Sequence, residues 1–290
     1  MKTYNGTIMV TGASGHLGQL VLEELLTKYK GKVIAGSRKV EKLQKFKDRG
    51  AEIREVDFNH PDDLTQSFKN VDKLFIISTD SLAVPGERLR QHLAAVKAAK
   101  AAGVKHIVYT SLNNPDKVKI FFGPDHKGTE DAILGSGLEY TILRNNWYMQ
   151  NLDESVKHAL EAGVLVTSTG AGKVGFITRE DCAHVAVAAL MNGDFHHSIL
   201  DVTNEQSVSY PEIAQILSEI SGKEIKFKDV SKAQIEKAYT DMGLPSFVVE
   251  LIATYEESVC DHQLDIKNNI VRELTGKSPT SLKDYLKGNK

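Results

Sequence analysis

Residues 7–18, Thr-Ile-Met-Val-Thr-Gly-Ala-Ser-Gly-His-Leu-Gly, constrain the fold more than any other stretch of the chain. Ile8 and Val10 predict a short buried strand, and Leu17, Leu20, Val21 and Leu25 predict an amphipathic helix directly after it. Between them fall Gly12, Gly15 and Gly18, spaced three apart. Gly12 permits the sharp exit from the strand, Gly15 lets a ligand reach the backbone with no Cβ in the way, and Gly18 lets the helix pack close to the sheet. A helix that starts here aims unpaired N–H groups and the positive end of its dipole at the turn, which suits an anion. Glycine-rich turns are common, but one placed between a strand and a helix reads as a dinucleotide-phosphate cradle. Its expected contacts are Gly12, Ser14, Gly15, His16, Leu17 and Gly18.

The chain then alternates. Strands are expected over 32–37, 51–57, 73–78, 105–111 and 140–144, with helices from near Val40, after Pro61, over 87–102 and again before 140. That rhythm predicts the α/β class, a Rossmann-type doubly wound parallel sheet with helices on both faces. Ligands of such sheets bind beyond the carboxyl ends of the strands. The candidates are therefore Arg38 and Lys39, Asp57 and Phe58, Ser78 and Thr79, Thr110 and Ser111, and residues 144–148.

An acidic residue after the second strand would bind the ribose 2′-hydroxyl of NAD, whereas arginine accommodates a 2′-phosphate. This chain has Ser37-Arg38-Lys39 there, which favours NADPH (NADP+). Asp57 could accept from the adenine amino group and Phe58 could flank its plane, and either could equally be a helix-capping or core residue.

With 290 residues, 41% of them hydrophobic, the chain has material for a full core. We expect a dinucleotide-binding domain over 1–150, rejoined by a strand near 198–203, and a smaller C-terminal α/β lobe over 151–290 on the substrate side. Thirty-six basic against 38 acidic side chains leave a net charge of −2, giving no pull toward nucleic acid or an acidic membrane. Cys182 and Cys260 form no CxxC pair, so reduced thiols in a cytoplasmic protein are expected, with no disulfide and no metal site. No signal peptide and no membrane span are expected. Monomer and homodimer both stay open.

In the second half, 164–167 reads as a strand and 170–173 as a hairpin-like loop. The latter is no phosphate loop, because Thr167 stands where a glycine is needed and Val174 where a magnesium-binding hydroxyl is needed. A helix is expected from Arg179 to Leu190, and Ser209 with Glu212 forms a capping-box pattern. Residues 239–247 read as a looser stretch that lids the substrate.

Residues 11–18, 103–111 and 140–148 together resemble the NmrA-like branch of the atypical short-chain dehydrogenases, and within it the type-2 NAD(P)H quinone oxidoreductases and triphenylmethane reductases. The likeness runs over nearly the whole chain. It implies NADPH in the first domain and a small-molecule acceptor such as a quinone between the two parts, with Asn145, Asn146, Trp147 and Tyr148 near the nicotinamide. Conventional members of the wider superfamily carry Tyr-x-x-x-Lys, in which lysine lowers the tyrosine pKa so that the phenol protonates an alkoxide. Here Phe122 and His126 hold those places, and Gly123-Pro124 is expected to keep them off one continuous helical face. Phe122 has no proton to give; His126 could donate a proton, could hydrogen-bond the ribose, or could be an exposed histidine in the first turn of the helix after Asp125.

Loss of that pair does not exclude hydride transfer. An alkoxide is about as basic as hydroxide, whose conjugate water has a pKa of ~15.7. The oxygen left on a reduced quinone is phenolate-like, with a pKa of ~10. Each pKa unit is about 1.4 kcal/mol, so the quinone asks several kcal/mol less of the protein. The expected function is an NADPH-dependent oxidoreductase acting on a quinone-like or other flat electrophilic acceptor. The rival is an NmrA-like NADP(H)-binding redox sensor without turnover.

Overall fold

Three fully buried residues form β1 (Ile8–Val10), and strands and helices alternate from there. The computed structural model describes residues 4–192 and 196–288. After β1 come α1 (His16–Lys28), β2 (Val33–Ser37), α2 (Gln44–Lys47), β3 (Glu52–Glu55), α3 (Pro61–Ser67), β4 (Lys73–Ile76) and α4 (Glu87–Ala102). Next are β5 (His106–Leu112), α5 (Gly123–Gly135), β6 (Glu139–Asn145), α6 (Asp153–Ala162), β7 (Val164–Thr167), β8 (Lys173–Val174), α7 (Arg179–Met191) and β9 (Ser198–Val202). The chain ends with β10 (Val208–Ser209), α8 (Tyr210–Ser221), β11 (Lys226–Asp229), α9 (Lys232–Asp241), α10 (Ser246–Cys260), α11 (Ile270–Thr275) and α12 (Leu282–Gly288).

Seven strands make one sheet in the order β3-β2-β1-β4-β5-β6-β9. Every pairing in it is parallel. This is the α/β sheet that the alternation predicts, and its order reverses between β1 and β4. A parallel sheet must be covered on both faces. Val21, Leu25 and Ala186, among others, cover one face; Phe68, Ala95 and Ile133 belong to the cluster on the other. A third apolar cluster, built around Phe176, Leu217 and Val259, holds the C-terminal elements together. β9 is the strand expected near 198–203; it lies beside β6, with Thr141 opposite Ser198.

Several local expectations change. The helix expected from Val40 is a 3₁₀ turn over Val40–Leu43 followed by a single α turn, because only Leu43 and Phe46 of this charged stretch reach the core. The third strand is shorter than 51–57: Val56 N–H bonds the Ser37 carbonyl at the end of β2, and Asp57 Oδ1 then accepts from Asn59 N–H in a turn. Residues 170–173 do not close a hairpin. β7 pairs parallel with β11 and β8 antiparallel with β10, so this loop links two small sheets. Among the described residues, no helix is long and apolar enough to cross a membrane.

The glycine turn can be tested through stability. A Cβ on Gly18 would lie 2.4 Å from the Gly12 carbonyl oxygen and 2.8 Å from Ala13 Cα, so both backbones must move. Gly18→Ala is expected to lower unfolding stability by about 2 kcal/mol, read as a reduced urea midpoint. Gly135, the last residue of α5, has nothing within 4 Å of its Cβ position and no positive φ. Gly135→Ala should raise stability by about 0.5 kcal/mol.

Candidate active site

The carboxyl ends of β1 and β4 meet at the point where the strand order reverses, and a cleft of about 340 Å³ opens there. Gly12, Ser14, Gly15, Arg38, Lys39, Asp57, Phe58, Ser78 and Thr79 all line it. Gly12 takes φ +61, which a glycine adopts without strain. Gly15 caps α1 with extended angles and no side-chain hydrogen bond, leaving the helix N-terminus open to a ligand. Ser14 and Ser37 hydroxyls lie 2.7 Å apart, and Ser37 Oγ accepts from Lys39 N–H, so the ends of β1 and β2 are tied together. Arg38 makes only a loose ion pair, 3.9 Å from the exposed Asp80. Lys42, Val56, Ile77 and Gln91 complete the wall and were not legible as site residues. Four of the cofactor-contact candidates are not in the lining: His16 is exposed in the first turn of α1, Leu17 and Gly18 are buried in its packing against the sheet, and Ser111 lines the second cavity instead.

Ser78 and Asp80 also line a second cavity of about 850 Å³. Asn145, Asn146, Trp147 and Tyr148 are brought together in its wall, with Ser111. Asn145 Nδ2 donates to Tyr148 OH at 3.0 Å, while its Oδ1 is buried without a partner. Asn146 is fully engaged: it donates to Thr203 Oγ1 and the Leu264 carbonyl and accepts from Trp147 N–H, fixing the turn after β6. Trp147 stacks on Tyr255, ring centroids 4.0 Å apart, and Tyr255 OH lies 3.0 Å from Tyr210 OH. Burial raises the Tyr148 and Tyr255 pKa values, so both phenols stay protonated. Ser111 Oγ donates to Glu130 Oε1 at 2.6 Å, and Arg144 grips the same buried carboxylate with two bonds. Tyr239, Met242, Leu244, Val248 and Leu251, from α9, α10 and residues 242–245 between them, form the outer wall. Tyr239, Met242 and Leu244 belong to the stretch 239–247 that the sequence suggested as a lid, and Val248 and Leu251 lie beyond it.

Around His126 and Thr79 lies a buried polar cluster whose centre, Arg88, sequence reasoning missed. Arg88, in the first turn of α4, is 5% exposed and lines the larger cavity. Its Nε donates to the Thr79 carbonyl at 2.7 Å, and its guanidinium sits 4.8 Å from the Phe122 ring centroid. Nη2 is 3.0 Å from His126 Nε2, and Nη1 has no partner. A guanidinium only donates, so Nε2 of His126 must accept and its ring proton sits on Nδ1, 2.8 Å from Tyr109 OH. His126 is 3% exposed, and burial together with the Arg88 charge holds its pKa well below the usual value. It is a neutral ring with no proton on the nitrogen that faces Arg88.

The expected separation of Phe122 and His126 does not occur. Phe122 caps α5 with near-helical angles (φ −94, ψ 3), Pro124 fits the first turn, and the two rings meet edge to face with centroids 5.7 Å apart. Proline's restraint on Gly123 is satisfied inside the helix start, so no break follows.

Comparison with known proteins agrees with this architecture. The sequence matches the NmrA-like family over residues 4–286. It is 32% identical to quinone oxidoreductase 2 of Escherichia coli (strain K12) over 276 residues, covering 95% of this chain and 96% of that protein. The crystal structure of the NADPH-dependent quinone oxidoreductase from Escherichia coli complexed with NADPH superposes with a TM-score of 0.93 at 30% identity, covering 97% of this chain and 99% of that one. Citrobacter sp. triphenylmethane reductase complexed with NADP(H) gives a TM-score of 0.92 at 34% identity, covering 98% and 100%. The chain belongs to the NmrA-like family.

Proposed function

We propose that this protein is an NADPH-dependent oxidoreductase that reduces quinone-like, flat electrophilic acceptors. The observation that carries the reading is Arg88: a buried cation with no carboxylate in ion-pair contact among the described residues and one unpartnered Nη1, in the wall of an aromatic cavity. Burying an unpaired charge costs several kcal/mol. Such a group is retained where a negative charge forms during turnover.

The smaller cleft fits the dinucleotide. Gly12, Gly15 and the uncapped α1 N-terminus would hold its pyrophosphate, Arg38, Lys39 and Lys42 a 2′-phosphate, and Asp57 and Phe58 its adenine. Asn145 offers its unpartnered Oδ1 to the nicotinamide carboxamide, beside Ser111 and Thr110. Bound there, NADPH supplies a hydride.

The chain's own part is placement and charge. Trp147 and Tyr255 present stacked faces against which a flat ring packs, and Tyr239, Met242 and Leu244 shield it from water. Arg88 stabilises the phenolate-like oxygen that gains the electron pair, and His126 and Thr79 hold the guanidinium in position. The proton then comes from water, because such an oxygen, with a pKa of ~10, needs no strong acid. A dinucleotide sensor would need no such acceptor cavity.

Purified protein should consume NADPH when a benzoquinone-type acceptor is added, followed at the absorbance of the reduced nicotinamide. A protein that only senses the dinucleotide would hold it unchanged. Arg38→Ala is expected to weaken NADPH about 10- to 100-fold, the loss of a charged hydrogen bond at ~1.5–3 kcal/mol, and to leave NADH almost untouched. Arg88→Met, which keeps the length and removes the charge, should lower kcat by roughly 10²-fold with little change in the Kd for NADPH. An unchanged kcat would remove Arg88 from the mechanism. Because His126 is held neutral and arginine stays charged, kcat/KM should be flat between about pH 6 and 9. A fall in rate as pH rises through ~6.5 would instead identify an imidazolium acid.

A further inference from the structure

At the end of the sheet opposite the dinucleotide cleft, the first residues of β5 and β6 and the approach to β9 bring together His106, Glu139 and His196. One ligand atom of each lies within 4.8 Å of those of the other two. Glu139 Oε2 is 2.8 Å from His196 Nδ1 and 3.7 Å from His106 Nδ1. His106 is 1% exposed, and its Nδ1 has no hydrogen-bond partner. Folded proteins seldom keep such an orphan. The other nitrogen, Nε2, lies 2.9 Å from Thr141 Oγ1. Thr141 Oγ1 can accept the Nε2 proton, and in that tautomer Nδ1 turns a bare lone pair toward the Glu139 carboxylate. Two electron-rich groups facing each other repel, and a cation between them relieves the repulsion. A neutral imidazole is the form that binds metal.

We propose that His106, Glu139 and His196 form a binding site for a zinc-class divalent cation, with water completing the coordination. Two imidazole nitrogens and a carboxylate are a donor set that zinc takes, and the Thr141 contact supplies the outer-shell hydrogen bond that orients a metal-ligating histidine. Ligands at ~2.0–2.2 Å from one ion lie no more than about 4.4 Å apart, so the trio needs only a small closure. Glu139 and His196 are each about half exposed and have room to make it. Lys73 works against the ion: its Nζ, held by the Leu190 and Asn192 carbonyls, is close enough to act on His106. The Glu139 charge faces both.

The sheet is parallel, so this end is the one remote from both cavities. A cation here does not touch the reaction. It fastens the edge strand β9, which the chain reaches only after α7, to the central strands β5 and β6. The sequence gives no hint of it, since the three residues come from three separate segments.

The test is calorimetric titration of the metal-free full-length protein with zinc chloride, with thermal melts in parallel. The expected result is one zinc per chain and a rise in Tm of about 3 °C at tenfold excess over Kd, with unchanged NADPH oxidation. Glu139→Gln and His196→Ala alter exposed side chains, so both variants should fold. Each is expected to weaken zinc at least about tenfold and to abolish the Tm rise. No zinc uptake by the unaltered protein, or uptake by the variants equal to it, overturns the proposal.

Discussion

The region around His126 and Thr79 is organised by one expensive residue, the buried guanidinium of Arg88. Arginine cannot shed its proton, so burial must be met by donors' partners or by an anion. The fold supplies only part of this: the Thr79 carbonyl after β4, the His126 nitrogen on α5 and the face of Phe122. Each partner is fixed in turn. Arg88 sets the His126 tautomer, His126 holds Tyr109 of β5, and Thr79 N–H donates to His92 Nε2 on α4. A charge left partly unmet thus knits β5, the β4 exit, α4 and α5 into one rigid floor.

The central sheet was legible because its signals are local. The parallel sheet follows from the alternation of strands and helices, and Gly12 and Gly18 need their residue type for reasons contained within a dozen positions. The acceptor side was not legible in the same way. Arg88 and Arg90 look alike in Glu-Arg-Leu-Arg, yet Arg90 turns outward to Glu87 and Asn59 while Arg88 turns into the cavity wall. Helix phase alone places them on different faces; which face meets the cavity depends on α5 and β5, far along the chain. Trp147 was singled out by its motif, but its stacking partner Tyr255 lies on α10 and carries no sequence mark. The expected separation of Phe122 and His126 failed for a narrower reason: proline's bias against helical angles at the residue before it was weighed above its fit to a first helical turn, and the fit decided the geometry.

Arg88 also bears on what a tyrosine–lysine pair would have done. That pair moves a proton, so it is suited to an oxygen too basic to stand as an anion. A fixed cation moves nothing and lowers the energy of an oxygen that already tolerates charge. Under the proposed function, replacing proton donation by charge stabilisation narrows the chemistry to acceptors whose reduced form is a stable anion, and quinones meet that condition.

The cavity wall points to how acceptors are chosen among themselves. Its volume of about 850 Å³ lies toward the upper end of small-molecule sites, and its specific polar groups are largely engaged with one another, as Asn146, Ser111 and the Tyr210–Tyr255 pair show. A site that hydrogen-bonds a substrate group rejects molecules lacking it by large factors, because its own buried groups are left unpaired; an apolar wall rejects by only a few kcal/mol. Under the proposed function, with stacked rings, a rim of Met242 and Leu244 and the incompletely partnered Arg88 cation, discrimination rests on flatness and on how readily the acceptor takes an electron pair. On this reading a broad range of planar acceptors follows from the same residues that make the acid pair unnecessary.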